Sequence, residues 1–257
     1  MSMFSRYRHG IVVAALLCGV GAVAPATAQP VGLVLADAAA AYANTNYARA
    51  IVLYEKALAL GHHAGGVYYN LGDAYYRDGR LGKAIAAFLR ARRLMPRDGD
   101  LLANLEVARQ QTRDGVPLSE PPPALRSLLF LYYYVSLDEL LWCLAALLAA
   151  LFIGWSWYAF VPLGWLKTAL VAIGLAAAVT LATAGAQVYE ERCGGAAVVV
   201  ADEAPVHAGP EATFAEVFVL HSGTEVRVLE QQRDWAKISV GKKERGWMRA
   251  DALDCLR

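Results

Sequence analysis

The sequence is short of the groups that catalysis and metal binding draw on. Among 257 residues there are four cysteines and five histidines. No cysteine pair has ligand spacing, and no histidine falls in a zinc-binding pattern. His62 and His63 are adjacent, so on a helix they point apart. There is no phosphate loop, no nucleophile elbow and no dinucleotide-binding turn; Gly19-x-Gly21 lies in an apolar leader. The expectation is therefore a non-enzyme with no catalytic residue, metal ligand or cofactor. Cysteines are also too few for a fold built on disulfides. Charge of one sign is lacking as well: 24 basic residues face 23 acidic ones, which leaves no basic stripe for nucleic acid.

What the chain has in excess is apolar character. It is 57% hydrophobic and 18% charged, against about 25% charged in an average soluble chain. Three stretches hold the excess. Residues 1–28 read as a secretory signal: Arg6 and Arg8, an apolar run over 11–23, then Ala26-Thr27-Ala28 as a small-x-small cleavage site. Leu17 is too large to precede a lipoprotein cysteine at Cys18. Residues 140–158, LLWCLAALLAALFIGWSWY, and residues 168–187 carry no charge. Each approaches the roughly 20 helical residues that cross a bilayer.

The expected spans are 137–158 and 168–187, joined by a short link that contains Pro162 and Gly164. Ser136 and Glu139 offer a capping box at the start of the first. Trp155, Trp157, Tyr158, Phe160 and Trp165 cluster around the link as an aromatic belt. The uncharged interior implies an anchor rather than an ion path. Gly174, Ala178 and Ala182 recur every four residues, the spacing of closely packed membrane helices. Export of the residues after the signal puts both soluble regions on the outer side.

Self-comparison finds a 34-residue period. Asn70-Leu71 returns as Asn104-Leu105, and Ala50, Tyr54 and Ala57 return as Ala84, Phe88 and Ala91. In the middle copy Tyr68, Leu71, Gly72 and Tyr75 fall on a first helix, Ala84, Phe88 and Ala91 on a second, and Pro96 closes it. Residues 31–112 thus resemble the tetratricopeptide repeat family, with five helices forming a short all-α solenoid. The resemblance places Tyr42, Tyr69, Asp73, Tyr76, Arg77 and Gln110 on the concave face, where such repeats bind extended peptides or helices. The alternative is that they only solvate the face or dock on this chain's own next segment. Asn70 stands where carboxylate-clamping repeats have an asparagine, but the paired lysines of that clamp are missing. Residues 113–123, RDGVPLSEPPP, form a semi-rigid linker. Residues 124–135, ALRSLLFLYYYV, suit a helix at the membrane surface.

Beyond Gly195, short β-favouring runs at 198–200, 216–220, 224–229, 235–240 and 245–249 indicate a small all-β unit. Gly223-Thr224-x-Val226, Asp234-Trp235-x-Lys237-Ile238 and Gly246-Trp247-Met248, in that order, resemble the bacterial SH3-like domain over 195–256. The resemblance implies a barrel, with Trp235 and Trp247 as either a ligand site or a structural pair at its edge. The chain ends of such a barrel approach each other, so Cys193 and Cys255 are a candidate disulfide.

Signal, solenoid, two-span hairpin and SH3-like unit, in this order, resemble the BatE proteins of bacterial aerotolerance operons. The resemblance implies a multi-pass inner-membrane protein with both soluble domains periplasmic. It acts as a scaffold, and its partners are membrane proteins with von Willebrand A domains and a MoxR-type ATPase system. The other reading is a cell-wall tether that holds peptidoglycan through the SH3-like domain.

Overall fold

The computed structural model describes residues 28–115, 129–161, 163–193, 195–241 and 244–256. All but the last residue of the expected signal (1–28), most of the proline-rich linker and the start of the surface segment fall outside them. Five helices come first: α1 Ala28–Ala43, α2 Tyr47–Ala59, α3 Gly65–Arg77, α4 Leu81–Leu94 and α5 Gly99–Gln110. They pack in sequence, each on the next. Asn46 caps α2 by accepting from the Arg49 amide at 3.2 Å, and Asp98 caps α5 through Leu101 at 2.9 Å. Gly72 is where α3 meets α4: a Cβ there would lie 2.6 Å from the Phe88 ring. Ala38, one period earlier, is fully buried, so alanine fills that position in the first repeat.

A short helix, α6 Phe130–Tyr134, precedes two long ones, α7 Leu137–Phe160 and α8 Gly164–Cys193. Both long helices are apolar enough to cross a membrane by length and composition, each with a mean hydropathy of 2.0 over its best window. The capping box forms: the Glu139 amide donates to Ser136 Oγ at 3.3 Å, and the Ser136 amide to Glu139 Oε2 at 3.0 Å. The link is tighter than expected, since the helices run through Phe160 and resume at Gly164. Gln187 Nε2 donates to the carbonyls of Tyr132 and Val135 at 2.9 and 3.0 Å, holding α6 against α8.

The stripe Gly174-Ala178-Ala182 does not mediate the α7–α8 contact. Ala178 and Ala182 are exposed, and a Cβ on Gly174 would meet nothing within 4 Å. Leu170, Ala177, Thr180 and Ala184 are buried instead, at the three- and four-residue steps of a coiled-coil seam. The close approach comes from α7, where a Cβ on Gly154 would lie 2.7 Å from Leu170 Cδ2.

The C-terminal unit is one antiparallel sheet: β1 Ala196–Val199, β2 Glu203–His207, β3 Glu216–His221, β4 Glu225–Gln232, β5 Trp235–Val240, β6 Glu244–Arg249 and β7 Leu253–Cys255. Its order is β3-β2-β6-β5-β4-β1-β7. Ala236, Ile238 and Val240 alternate inward along β5 with half-buried neighbours between them, as the pleat requires. The sheet is not closed: the ladder ends at β3 and β7, so the expected barrel is an open, seven-stranded array. Strands β2 and β7 were not foreseen, because Pro205 weakens one and the other has only three residues.

Candidate functional site

Helices α1, α3 and α5, the first helices of their repeats, bring four side chains into one hydrogen-bonded row. The Tyr42 hydroxyl donates to Asp73 Oδ2 at 2.9 Å. Asn104 Nδ2 donates to the Tyr69 hydroxyl at 3.0 Å and reaches Asp73 Oδ1 at 3.5 Å. Burial, the Asp73 hydrogen bond and its charge together push the Tyr42 phenol up, outweighing the opposing Arg77 guanidinium. Burial, then the charges of Asp73, Asp100 and Asp98, push Tyr69 up in the same way. Arg77 is exposed at the end of α3, and its own value is raised chiefly by Tyr42. The Tyr76 hydroxyl accepts from Gln111 Nε2.

Five of the six residues expected on this face thus lie together around α3. Gln110 stands apart: it is exposed and donates to Glu106 Oε1 on its own helix at 3.2 Å. Asn104 and Gln111 take part instead. Asn104 was legible as the repeat partner of Asn70; nothing in the sequence singled out Gln111.

In the sheet, Trp235 and Trp247 have different roles. Trp247 is 8% exposed, opposite Lys237 in the β5–β6 register, with Lys237 Nζ 5.6 Å from its ring centroid. Trp235 is half-buried and meets His207 edge-on at 5.3 Å between centroids. His207 Nδ1 lies 3.0 Å from the Phe214 carbonyl oxygen. Trp235 with His207 is the accessible part of this edge, while Trp247 is mostly interior. Cys255 carries a free, half-buried thiol, and the side chain of Cys193 lies outside the described residues. The register sets Cys255 opposite Ala197, four positions beyond Cys193.

The largest feature unforeseen in the sequence is a seam between solenoid and sheet. Arg90 of α4 donates to both carboxylate oxygens of Asp254, with Nη1 at 3.1 Å from Oδ2, and to the Cys255 carbonyl at 2.7 Å. Arg93 donates to the Leu256 carbonyl. Arg109 of α5 forks onto Glu225 at 2.6 and 3.1 Å. Asp114 accepts from the His221 amide at 2.7 Å, and from Thr224 Oγ1. Its second oxygen stands 2.7 Å from His221 Nδ1. Gly82 allows the approach, since its amide donates to Ser222 Oγ at 3.0 Å and a Cβ would fall 2.3 Å from the Val199 carbonyl oxygen. Val198 and Leu256 join the core of the solenoid.

Two family models match. Residues 65–98 match the tetratricopeptide repeat, and residues 202–254 match the bacterial SH3 domain. The chain matches no curated protein. It therefore carries a tetratricopeptide repeat, two apolar helices of membrane-crossing length and a bacterial SH3 domain. Among the described residues there is no cluster of metal-ligating side chains.

Proposed function

We propose that this chain is a non-enzymatic, membrane-anchored scaffold that captures a segment of a partner protein on the face built by α1, α3 and α5. The observation that carries the reading is the division of labour around α4. The sheet covers the α4 side of the solenoid through the Arg90–Asp254 and Gly82–Ser222 contacts, and the Tyr42–Asp73–Asn104–Tyr69 row lies on the first helices. Tetratricopeptide repeats support a protein partner; the bacterial SH3 match supports an extracytoplasmic setting. The arrangement of modules favours a multi-pass protein of the bacterial inner membrane with both soluble domains periplasmic. By resemblance to BatE proteins it serves an envelope or aerotolerance complex, with von Willebrand A domain membrane proteins and a MoxR-type ATPase system as partners.

The test is co-purification from membranes. Tyr76→Ala with Arg77→Ala is expected to weaken partner capture by about 2 kcal/mol, because aromatic and arginine anchors dominate interfaces, while helix content stays unchanged. Undiminished capture rejects the face as the binding surface.

A second reading, a cell-wall tether, is favoured by the bacterial SH3 match and by the accessible Trp235–His207 edge. Sedimentation of the detergent-solubilised full chain with purified peptidoglycan, with Trp235→Ala as control, separates the two.

A further inference from the structure

We infer that the cavity at the seam, where α2, α3, α4 and β7 meet, is a binding site for a small zwitterion, a free amino acid with an apolar side chain. The site is separate from the groove face, and the inference does not depend on the scaffold reading. The cavity has a volume of about 310 Å³, near the lower end of the roughly 300–1,000 Å³ of small-molecule sites. Leu58, Leu71 and Ala87 give it an apolar wall. Glu55, Lys83, Arg90 and Asp254 supply its charges, two of each sign, so the lining is neutral overall. A neutral lining favours neither an anion nor a cation and suits a ligand that carries both charges.

The four charged groups are not equivalent. Arg90 and Asp254 satisfy each other, the guanidinium forking onto both carboxylate oxygens. Lys83 and Glu55 do not: among the described residues neither takes part in an ion pair, and both meet Tyr75 instead. Lys83 Nζ lies 5.5 Å from the centroid of the Tyr75 ring, and Glu55 Oε1 accepts from the Tyr75 hydroxyl. Burial, then the Glu55 hydrogen bond and its charge, push the Tyr75 phenol up, so the proton stays on tyrosine and Glu55 stays an ionised acceptor. Tyr75 is itself buried, so its ring sets the spacing between the ammonium over its face and the carboxylate at its hydroxyl. A cation and an anion that share a cavity without pairing, beside an apolar wall, match the parts of an apolar amino acid. The ligand carboxylate would pair with Lys83, its ammonium with Glu55, and its side chain would lie on the leucines. Glu55 is exposed and Lys83 half-buried, so the ligand enters from the Glu55 side. Asp254 belongs to the sheet and the other lining residues to the solenoid, so a ligand that needs the assembled cavity would stabilise the seam.

The probe is L-leucine, titrated calorimetrically into the full chain in phosphatidylcholine nanodiscs. Isocaproate, which lacks the ammonium, and isoamylamine, which lacks the carboxylate, are its comparisons. Leucine is expected to bind and to raise the Tm, and each comparison compound to bind about tenfold more weakly. Lys83→Gln should then abolish the preference for leucine over isoamylamine, and Glu55→Gln the preference over isocaproate. Glutamine in place of Glu55 keeps the acceptor that the Tyr75 hydroxyl needs, and circular dichroism checks the fold of both variants. No binding of leucine overturns the inference, and so does a comparison compound that binds the wild-type chain as tightly, whatever the variants do. A preference that survives both substitutions overturns it as well. Partner capture on the groove face is unaffected by any of these outcomes.

Discussion

Glu225 of the sheet is buried beneath Arg109 of the solenoid: its side chain is 6% exposed, and the guanidinium forks onto both its oxygens at 2.6 and 3.1 Å. The two residues lie 116 positions apart, with both long apolar helices between them. The pair therefore joins domains that the hairpin separates in sequence. Losing Glu225 removes both charge-assisted hydrogen bonds of the fork across the seam. Replacing Glu225 with alanine is expected to destabilise the soluble head by about 2 kcal/mol. The loss would be read as a lower Tm of the full chain in detergent. Faster proteolysis at residues 112–115 should accompany it, because these residues lie against the sheet. An unchanged Tm would mean that the seam contributes nothing to stability.

The same seam should weaken in acid. Burial alone would raise the Asp114 carboxyl, but the Thr224 hydroxyl, the His221 amide and the His221 ring together hold it below its ordinary 3.8. A carboxyl lowered in the folded state adds stability that is full above its unfolded value and is lost as pH falls through the folded one. Stability is therefore expected to decline below about pH 4. Asp114→Asn should lower the Tm at neutral pH and flatten that part of the acid decline. Parallel Tm–pH curves for the two proteins would show that Asp114 does not contribute to it.

The helical half was legible because its signals are local. The 34-residue spacing set small Gly72 against Phe88, and both capping residues and breakers fell where the helices end. The phase of the membrane contact was not, because small residues on neighbouring stripes look alike: Ala177 and Ala184 face α7, Ala178 and Ala182 do not. The seam was hidden for another reason. Arg90, Arg109 and Asp114 read as ordinary surface charge until their partners, more than 100 positions away, are known. Helix α4 is buried over Gly82, Ala84 through Leu89 and Ala91, more than one face of a helix, because Val198 and Leu256 of the sheet join the core around it. Repeat position alone put Tyr42, Tyr69, Asp73, Tyr76 and Arg77 on one face, and the structure sets them together around α3. Gln110, the last residue of α5, bonds Glu106 on its own helix instead.

The solenoid and the sheet touch through Arg90–Asp254, Arg109–Glu225 and Asp114–His221, so they must share one side of any membrane that the long helices cross. An even number of crossings satisfies that condition, and a single crossing does not. Each long helix is also tied to the head at its outer end: Arg97 of the solenoid pairs with Glu139 at the start of α7, and Arg227 of the sheet with Glu190 near the end of α8, at 3.3 Å. These charged ends belong outside the hydrocarbon, and the link with Trp155, Trp157 and Trp165 exposed around it belongs at the opposite interface. Alkaline phosphatase fused after residue 112 or after residue 257 is expected to be active, which requires export. A fusion within residues 161–163 should be inactive, and a cytoplasmic reporter at the same point active. Export-dependent activity at the link, or its absence at the C-terminus, would mean that the two helices do not cross as a hairpin. The head contacts would then have to form without it.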